Sequence, residues 1–116
     1  MKVLVCGSRY WDDIAAIRNE LDKLPDDTII IHGGAKGADN IAGEIAKLKK
    51  FKVKVFRAKW GFYGYSAGPR RNTKMIKENP DLVLAFTYDL SKSKGTADTV
   101  RKARTRDIPV RVIGEE

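Results

Sequence analysis

Short runs of β-branched and apolar residues recur along this chain, and each ends in a glycine-bearing or polar turn that opens into a stretch with apolar residues three or four apart. Strand periodicity handing over repeatedly to helix periodicity admits few folds. The first run, Lys2 to Cys6, stops at Gly7-Ser8-Arg9, and Asp12 or Asp13 is then placed to cap a helix carrying Ile14, Ile17, Leu21 and Leu24 on one stripe. Pro25-Asp26-Asp27 breaks that helix. A second strand, Thr28 to His32, runs into Gly33-Gly34-Ala35-Lys36-Gly37-Ala38-Asp39 and a helix with Ala38, Ile41, Ala42, Ile45, Ala46 and Leu48 on one side.

Lys52 to Ala58 reads as a third strand, and its outward lysines suit a sheet edge. The segment from Lys59 to Gly68 sets Trp60, Phe62, Tyr63 and Tyr65 among glycines, fits neither period, and is expected as an ordered loop. Pro69 suits the first position of a helix reaching about Glu78, which Asn79-Pro80 stops. Leu82 to Phe86 is a continuous apolar strand. Gly95-Thr96 opens a helix with Val100 and Ala103 inward, and Pro109 to Ile113 is the last strand.

Strands alternating with helices over short links demand right-handed crossovers and a parallel sheet covered on both faces. The expected fold is therefore α/β, a three-layer Rossmann-like single domain over residues 1–116 with a five-stranded parallel sheet and four helices. Strand order 3-2-1-4-5 follows by analogy with doubly wound sheets. No apolar run approaches the roughly 18 to 20 residues that span a bilayer, so no membrane partner is expected and the location is expected to be cytoplasmic. Cys6 and His32 are each the sole residue of their kind, so neither a disulfide nor a zinc site is expected, and no metal or cofactor is implied.

Charge points to the class of partner. Lys and Arg number 23 against 15 Asp and Glu, a formal net charge of +8, which favours anionic partners. Residues 45–77 hold eleven basic residues, six of the ten aromatics and no acid. That mixture suits nucleotides or nucleic acid, and equally a solvated basic face.

Ligands of doubly wound sheets bind outside the carboxyl ends of the strands, which here selects the turns after strands one, two and four. Each turn feeds a helix whose first amides lack intrahelical acceptors and carry the positive end of the helix dipole. Gly33, Gly34 and Gly37 would let backbone pass close to a phosphate or ribose, although glycines also serve a tight turn alone. Their spacing matches neither G-x-G-x-x-G nor the nucleoside-triphosphatase loop. Asp39 falls in the first helical turn, either as a dipole partner or as an acceptor for ribose hydroxyls. His32 is read as a core or hinge residue. Gly68-Pro69-Arg70-Arg71-Asn72 would set two arginines in a first helical turn, against the dipole, which an anionic partner or protein carboxylates would explain. Gly95 offers an amide, Thr96 a cap, and Asp98 a carboxylate nearby. Gly7, Ser8 and Arg9 complete the rim, and one of the four aromatics, with Trp60 the candidate, could stack on a base.

Taken in order, Cys6-Gly7-Ser8-Arg9, His32 to Asp39, Trp60 to Gly64, Ala67 to Asn72, Pro80-Asp81-Leu82-Val83 and Gly95-Thr96-Ala97-Asp98 resemble the YspA/YpsA-related branch of the SLOG superfamily over nearly the whole chain. The resemblance implies a Rossmann-like domain for nucleotides or nucleotide-derived ligands, often as an oligomer. One related group, the cytokinin-activating phosphoribohydrolases, cleaves N-glycosidic bonds with an arginine and a glutamate near Pro-Gly-Gly-x-Gly-Thr-x-x-Glu. Here Ser91, Lys92 and Ser93 replace Pro-Gly-Gly and Thr99 stands in the glutamate's place, with Asp98 one residue away. A second group, DNA-processing protein A, resembles the glycine turn ending in Asp39 and the Arg-Asn segment, and binds single-stranded DNA. The resulting expectation is a homo-oligomeric nucleotide binder, acting as a sensor or as an N-glycosidase with Asp39, Asp98 or Arg71 in catalysis. The alternative is a single-stranded nucleic-acid binder.

Overall fold

A computed structural model describes residues 1–115. Five parallel strands, β1 (Lys2–Gly7), β2 (Ile29–His32), β3 (Lys52–Val55), β4 (Leu82–Phe86) and β5 (Val110–Ile113), form one sheet in the order β3-β2-β1-β4-β5. The central strands are apolar at nearly every position, Lys2 and His32 at strand ends being the exceptions, because side chains alternate between two covered faces. Val3, Val5, Ile30, Leu84 and Phe86 pack on one side with α1 (Ile14–Leu21) and α2 (Ala38–Leu48). Leu4, Cys6, Ile31, Val83 and Ala85 pack on the other with α4 (Ala67–Lys77) and α5 (Lys94–Thr105). Strand β3 is one edge and β5 the other, and both lysines of β3 are exposed. No helix among the described residues is long and apolar enough to cross a membrane.

Asp13 caps α1, its Oδ1 accepting from the Ala16 amide at 3.0 Å. Several sequence expectations need correction. The stretch expected as a loop is helical, a single turn α3 (Trp60–Tyr63) followed by a 3₁₀ turn over Gly64–Ser66. Helix α4 consequently begins at Ala67, which makes Pro69 its third residue and moves Arg70 and Arg71 past its first three positions. Helix α5 begins at Lys94, with Ser93 rather than Thr96 at the cap position. Strand β3 ends at Val55 instead of Ala58. Ile14 and Leu48, expected inside, are 52% and 77% exposed. Leu48 lies about 20° around the helix from the half-buried Ile41 and about 60° from Ile45, at the margin of the core stripe on the last residue of α2.

Candidate functional site

The β2–α2 turn has acceptors for four of its amides. Asp39, buried in the first turn of α2, accepts from the Gly33 amide at 2.8 Å and the Ala35 amide at 3.5 Å through Oδ2. His32 Nδ1 accepts from the Gly34 amide at 3.0 Å, and the first amide of α2, on Ala38, donates to the Ser8 carbonyl at 3.2 Å. Gly37 permits this closure, because it holds φ +81° and a Cβ there would run into the Ser8 and Arg9 backbone. Gly7 ends β1 beside Phe86. The turns after β1 and β2 are thus one hydrogen-bonded unit.

Burial dominates the titration of this unit. It pushes the Asp39 carboxyl up to about 6, against the Gly33 amide, the Arg71 charge and the Ala35 amide, which pull it down. Burial, then the charges of Arg57, Lys47 and Arg71, push His32 down to about 4, so the imidazole is neutral at pH 7. Its Nδ1 accepts, which assigns the proton to Nε2. Burial also raises the Cys6 thiol far above its ordinary value, so this cysteine is an inert apolar side chain.

Arg71 crosses from α4 to this turn. Its Nη1 donates to the carbonyls of Gly33 at 2.6 Å and Phe56 at 3.3 Å, and its Nε donates to Asn72 Oδ1 at 2.8 Å. The guanidinium lies so close over Gly33 that a Cβ there would collide with it. Three neutral oxygens orient the group, and no carboxylate among the described residues pairs with it. Asn72 is buried and bridges helices, its Nδ2 donating to Gly95 O at 3.3 Å and Asp98 Oδ2 at 3.1 Å. Asp98 also accepts from Lys102 at 2.8 Å and from Arg101. Burial alone would raise Asp98, but the Lys102 and Asn72 hydrogen bonds and the nearby charges of Lys102 and Arg101 hold it below the usual carboxylate range. Its oxygens are committed to protein donors.

The β4–α5 turn differs. Ser93 makes no side-chain cap; its hydroxyl bonds the Thr96 hydroxyl at 2.8 Å. Ala97 is the first α5 residue bonded back to Ser93 O, so the amides of Lys94, Gly95 and Thr96 have no acceptor among the described residues. Nothing crowds Gly95, and Thr96 is buried. Across the edge, Trp60 lies over Gly68, while Arg70 stacks on Tyr63 at 4.4 Å and donates to Ser66 Oγ at 3.1 Å. Phe62 and Tyr65 point into solvent. Arg9 lies 5.9 Å from the Tyr10 ring on the opposite rim.

Around this edge Arg9, Lys36, Arg57, Lys59, Arg70 and Arg71 form no ion pair among the described residues, as is also true of Lys50 and Arg104 away from it, while Lys23, Lys47, Lys49, Lys54, Arg101, Lys102 and Arg111 pair with Glu20, Asp22, Glu44, Glu78 and Asp98. The sequence reading missed two participants. Arg57 Nη1 approaches Gly34 O at 3.5 Å, and Tyr88 stacks on Trp11 with ring centroids 4.5 Å apart and planes at 22°. Both follow carboxyl ends of strands, and extending the strand-end rule to the turn after β3 finds Arg57. No group of three His, Cys, Asp or Glu side chains among the described residues could hold a metal ion.

The model of the YspA, cpYpsA-related SLOG family matches residues 1–63, which include both hydrogen-bonded glycine turns. The Gene 61 protein of Mycobacterium phage D29 is 37% identical over 124 residues, covering 99% of this chain and 98% of that protein. The chain belongs to the YspA, cpYpsA-related SLOG family. In this SLOG chain the family match ends before Arg71 and α5, but the phage relative runs through both. Its fold is also that of DNA processing protein A (DprA) from Streptococcus pneumoniae, solved by X-ray, with a TM-score of 0.77 and 20% identity over 96% of this chain. The SLOG chain spans about half, 49%, of DprA, and at that identity the likeness concerns the fold alone.

Proposed function

We propose that the carboxyl edge of the sheet binds a phosphate-bearing nucleotide or nucleotide-derived ligand. The observation that carries this reading is the cluster of cations there without carboxylate partners among the described residues, beside a helix that starts with three amides unaccepted among them. A phosphoryl group complements both, because amides at a helix start and guanidinium forks are the usual donors to it. In this reading the α5 start and Arg71 take the phosphate, Arg9 and Arg70 supply flanking charge, and Trp60 offers a ring face to a base. Asp39 has Oδ1 left for a ribose hydroxyl, since its known acceptor bonds use Oδ2. Asp98 is occupied by Asn72, Arg101 and Lys102, so N-glycosidic hydrolysis would fall to Asp39, and binding without turnover, as a sensor, is the simpler use of the same groups.

The test is mass spectrometry of what freshly purified protein releases on denaturation, followed by titration of that nucleotide. Arg71→Ala should weaken binding about tenfold or more, as removal of a charged hydrogen-bonding partner does; full affinity in that variant would overturn the assignment. A second reading, a single-stranded nucleic-acid binder, is favoured by the exposure of Trp60, Phe62 and Tyr65 beside Arg57 and Lys59. DNA processing protein A is named for work on DNA, and its likeness in fold is compatible with this reading. Affinity for an oligonucleotide that falls steeply with log salt would select it over the single-nucleotide site.

A further inference from the structure

The flank made by α1 and α2 carries a groove of about 340 Å³ lined by Ile14, Arg18, Ile41, Glu44, Ile45 and Leu48. Ile14 and Leu48, the two side chains that leave the expected core stripes, are its exposed apolar members. The opposite flank has another character. Its groove of about 210 Å³ between α4 and α5 is lined by Thr73, Ile76, Lys102, Thr105 and Arg106, two cations and no acid.

The register of α1 against α2 is fixed. Both helices cross back between parallel strands and therefore run in the same direction. Asp22, just after α1, and Lys49, just after α2, pair at 2.6 Å across a separation of 27 residues. The same offset sets Arg18 level with Ile45 and its neighbour Glu44, and Ile14 level with Ile41. Arg18 makes no ion pair among the described residues, and Glu44 meets only Lys47, at 3.8 Å with both side chains exposed. Such a pair holds loosely, so Glu44 can turn to another cation.

We propose that this flank is the interface of a homodimer whose two-fold axis runs along the groove in the plane of contact. That axis lays α1 of one copy on α2 of the other at the same level. Arg18 then meets Glu44 of the second copy, and by symmetry the pair forms twice. Ile14 meets Ile41 of the second copy, and Leu48 is covered by the end of the other α1. The groove's own charges cancel, so two chains of net charge +8 can approach here, whereas the α4–α5 flank and the carboxyl edge would bring like charges together. The proposed ligand edge stays open, and the dimer does not depend on that ligand.

Sedimentation equilibrium of the full chain across a wide concentration range tests this. The wild type is expected at twice the chain mass. Arg18→Glu and Glu44→Arg should each weaken the dimer about tenfold or more, and the double exchange should restore it to within about threefold of wild type. Leu48→Gln should weaken the dimer without changing the charge. All three positions are exposed, and circular dichroism with the urea midpoint reports whether each variant folds; should Arg18→Glu not fold, Glu44→Arg and Leu48→Gln carry the test. A wild type that is monomeric throughout, single exchanges that leave the dimer intact, or a double exchange no better than the singles would each overturn the proposal.

Discussion

Two glycine-bearing turns lie at the same edge of the sheet and differ in how many of their amides find acceptors. The β2–α2 turn bonds four of its amides to Asp39, His32 and Ser8, with Gly33 and Asp39 buried. The β4–α5 turn leaves the first three amides of its helix without acceptors among the described residues, over an exposed Gly95. Glycine density here marks where the Arg71 side chain and the Ser8 and Arg9 backbone approach the turn, and does not by itself count free donors. The richer turn is a clamp that fixes Arg71, through Gly33 O, beside the plainer turn that has donors to offer.

The comparison can be broken most forcefully at Gly37. Its φ of +81° and the Ser8 and Arg9 backbone against it predict that Gly37→Ala lowers stability by roughly 2 to 5 kcal/mol in urea unfolding. A loss below the strain of a left-handed residue alone would show that the turns are not clamped.

The pH profile comes next, because the clamp holds two groups shifted in opposite directions. Asp39 binds its proton near 6 in the folded chain against an ordinary 3.8, so its burial cost is relieved as pH falls through that window. His32 binds near 4 folded against 6.5, so its contribution is present above 6.5 and is lost on acidification towards 4. The two offset one another in the wild type. Asp39→Asn leaves His32 alone, and the variant should lose roughly 2 to 3 kcal/mol more than the wild type between those limits. Parallel profiles in urea titrations at several pH values would rule out this coupling.

At the open turn, Ser93→Asp should supply the missing cap, raising stability by roughly 0.5 to 1 kcal/mol while weakening a phosphate-bearing ligand several-fold by occupying its amides. Unchanged ligand affinity, read by calorimetry, would remove the α5 start from the site. The smallest effect is at Gly95, where nothing crowds a Cβ: Gly95→Ala should stabilise by about 0.5 kcal/mol and keep the amide, in contrast to the same change at Gly37.

Much of the fold was legible because its signals are local. Val3, Leu4, Val5 and Cys6 form an unbroken apolar run since alternate side chains meet different helix layers, and Asp13 sits where an N-cap belongs. The Trp60–Ser66 segment was not legible as helix, because one turn of each helical type is too short to show a period. That shortness shifted the start of α4 and with it the positions assigned to Arg70 and Arg71. Candidate residues could be named at strand ends, but their partners could not: Asn72 and Asp98 are 26 residues apart, and Arg71 and Gly33 are 38 apart.

The alternation of strands and helices, the parallel sheet and the glycine-bearing turns at its carboxyl edge were written in the sequence, because hydrophobic period and turn chemistry act over a few neighbouring residues. Which amides are bonded and which cations stand unpaired emerged from the folded arrangement. Those outcomes depend on competition between acceptors brought together from distant parts of the chain, and a linear pattern carries no measure of that competition.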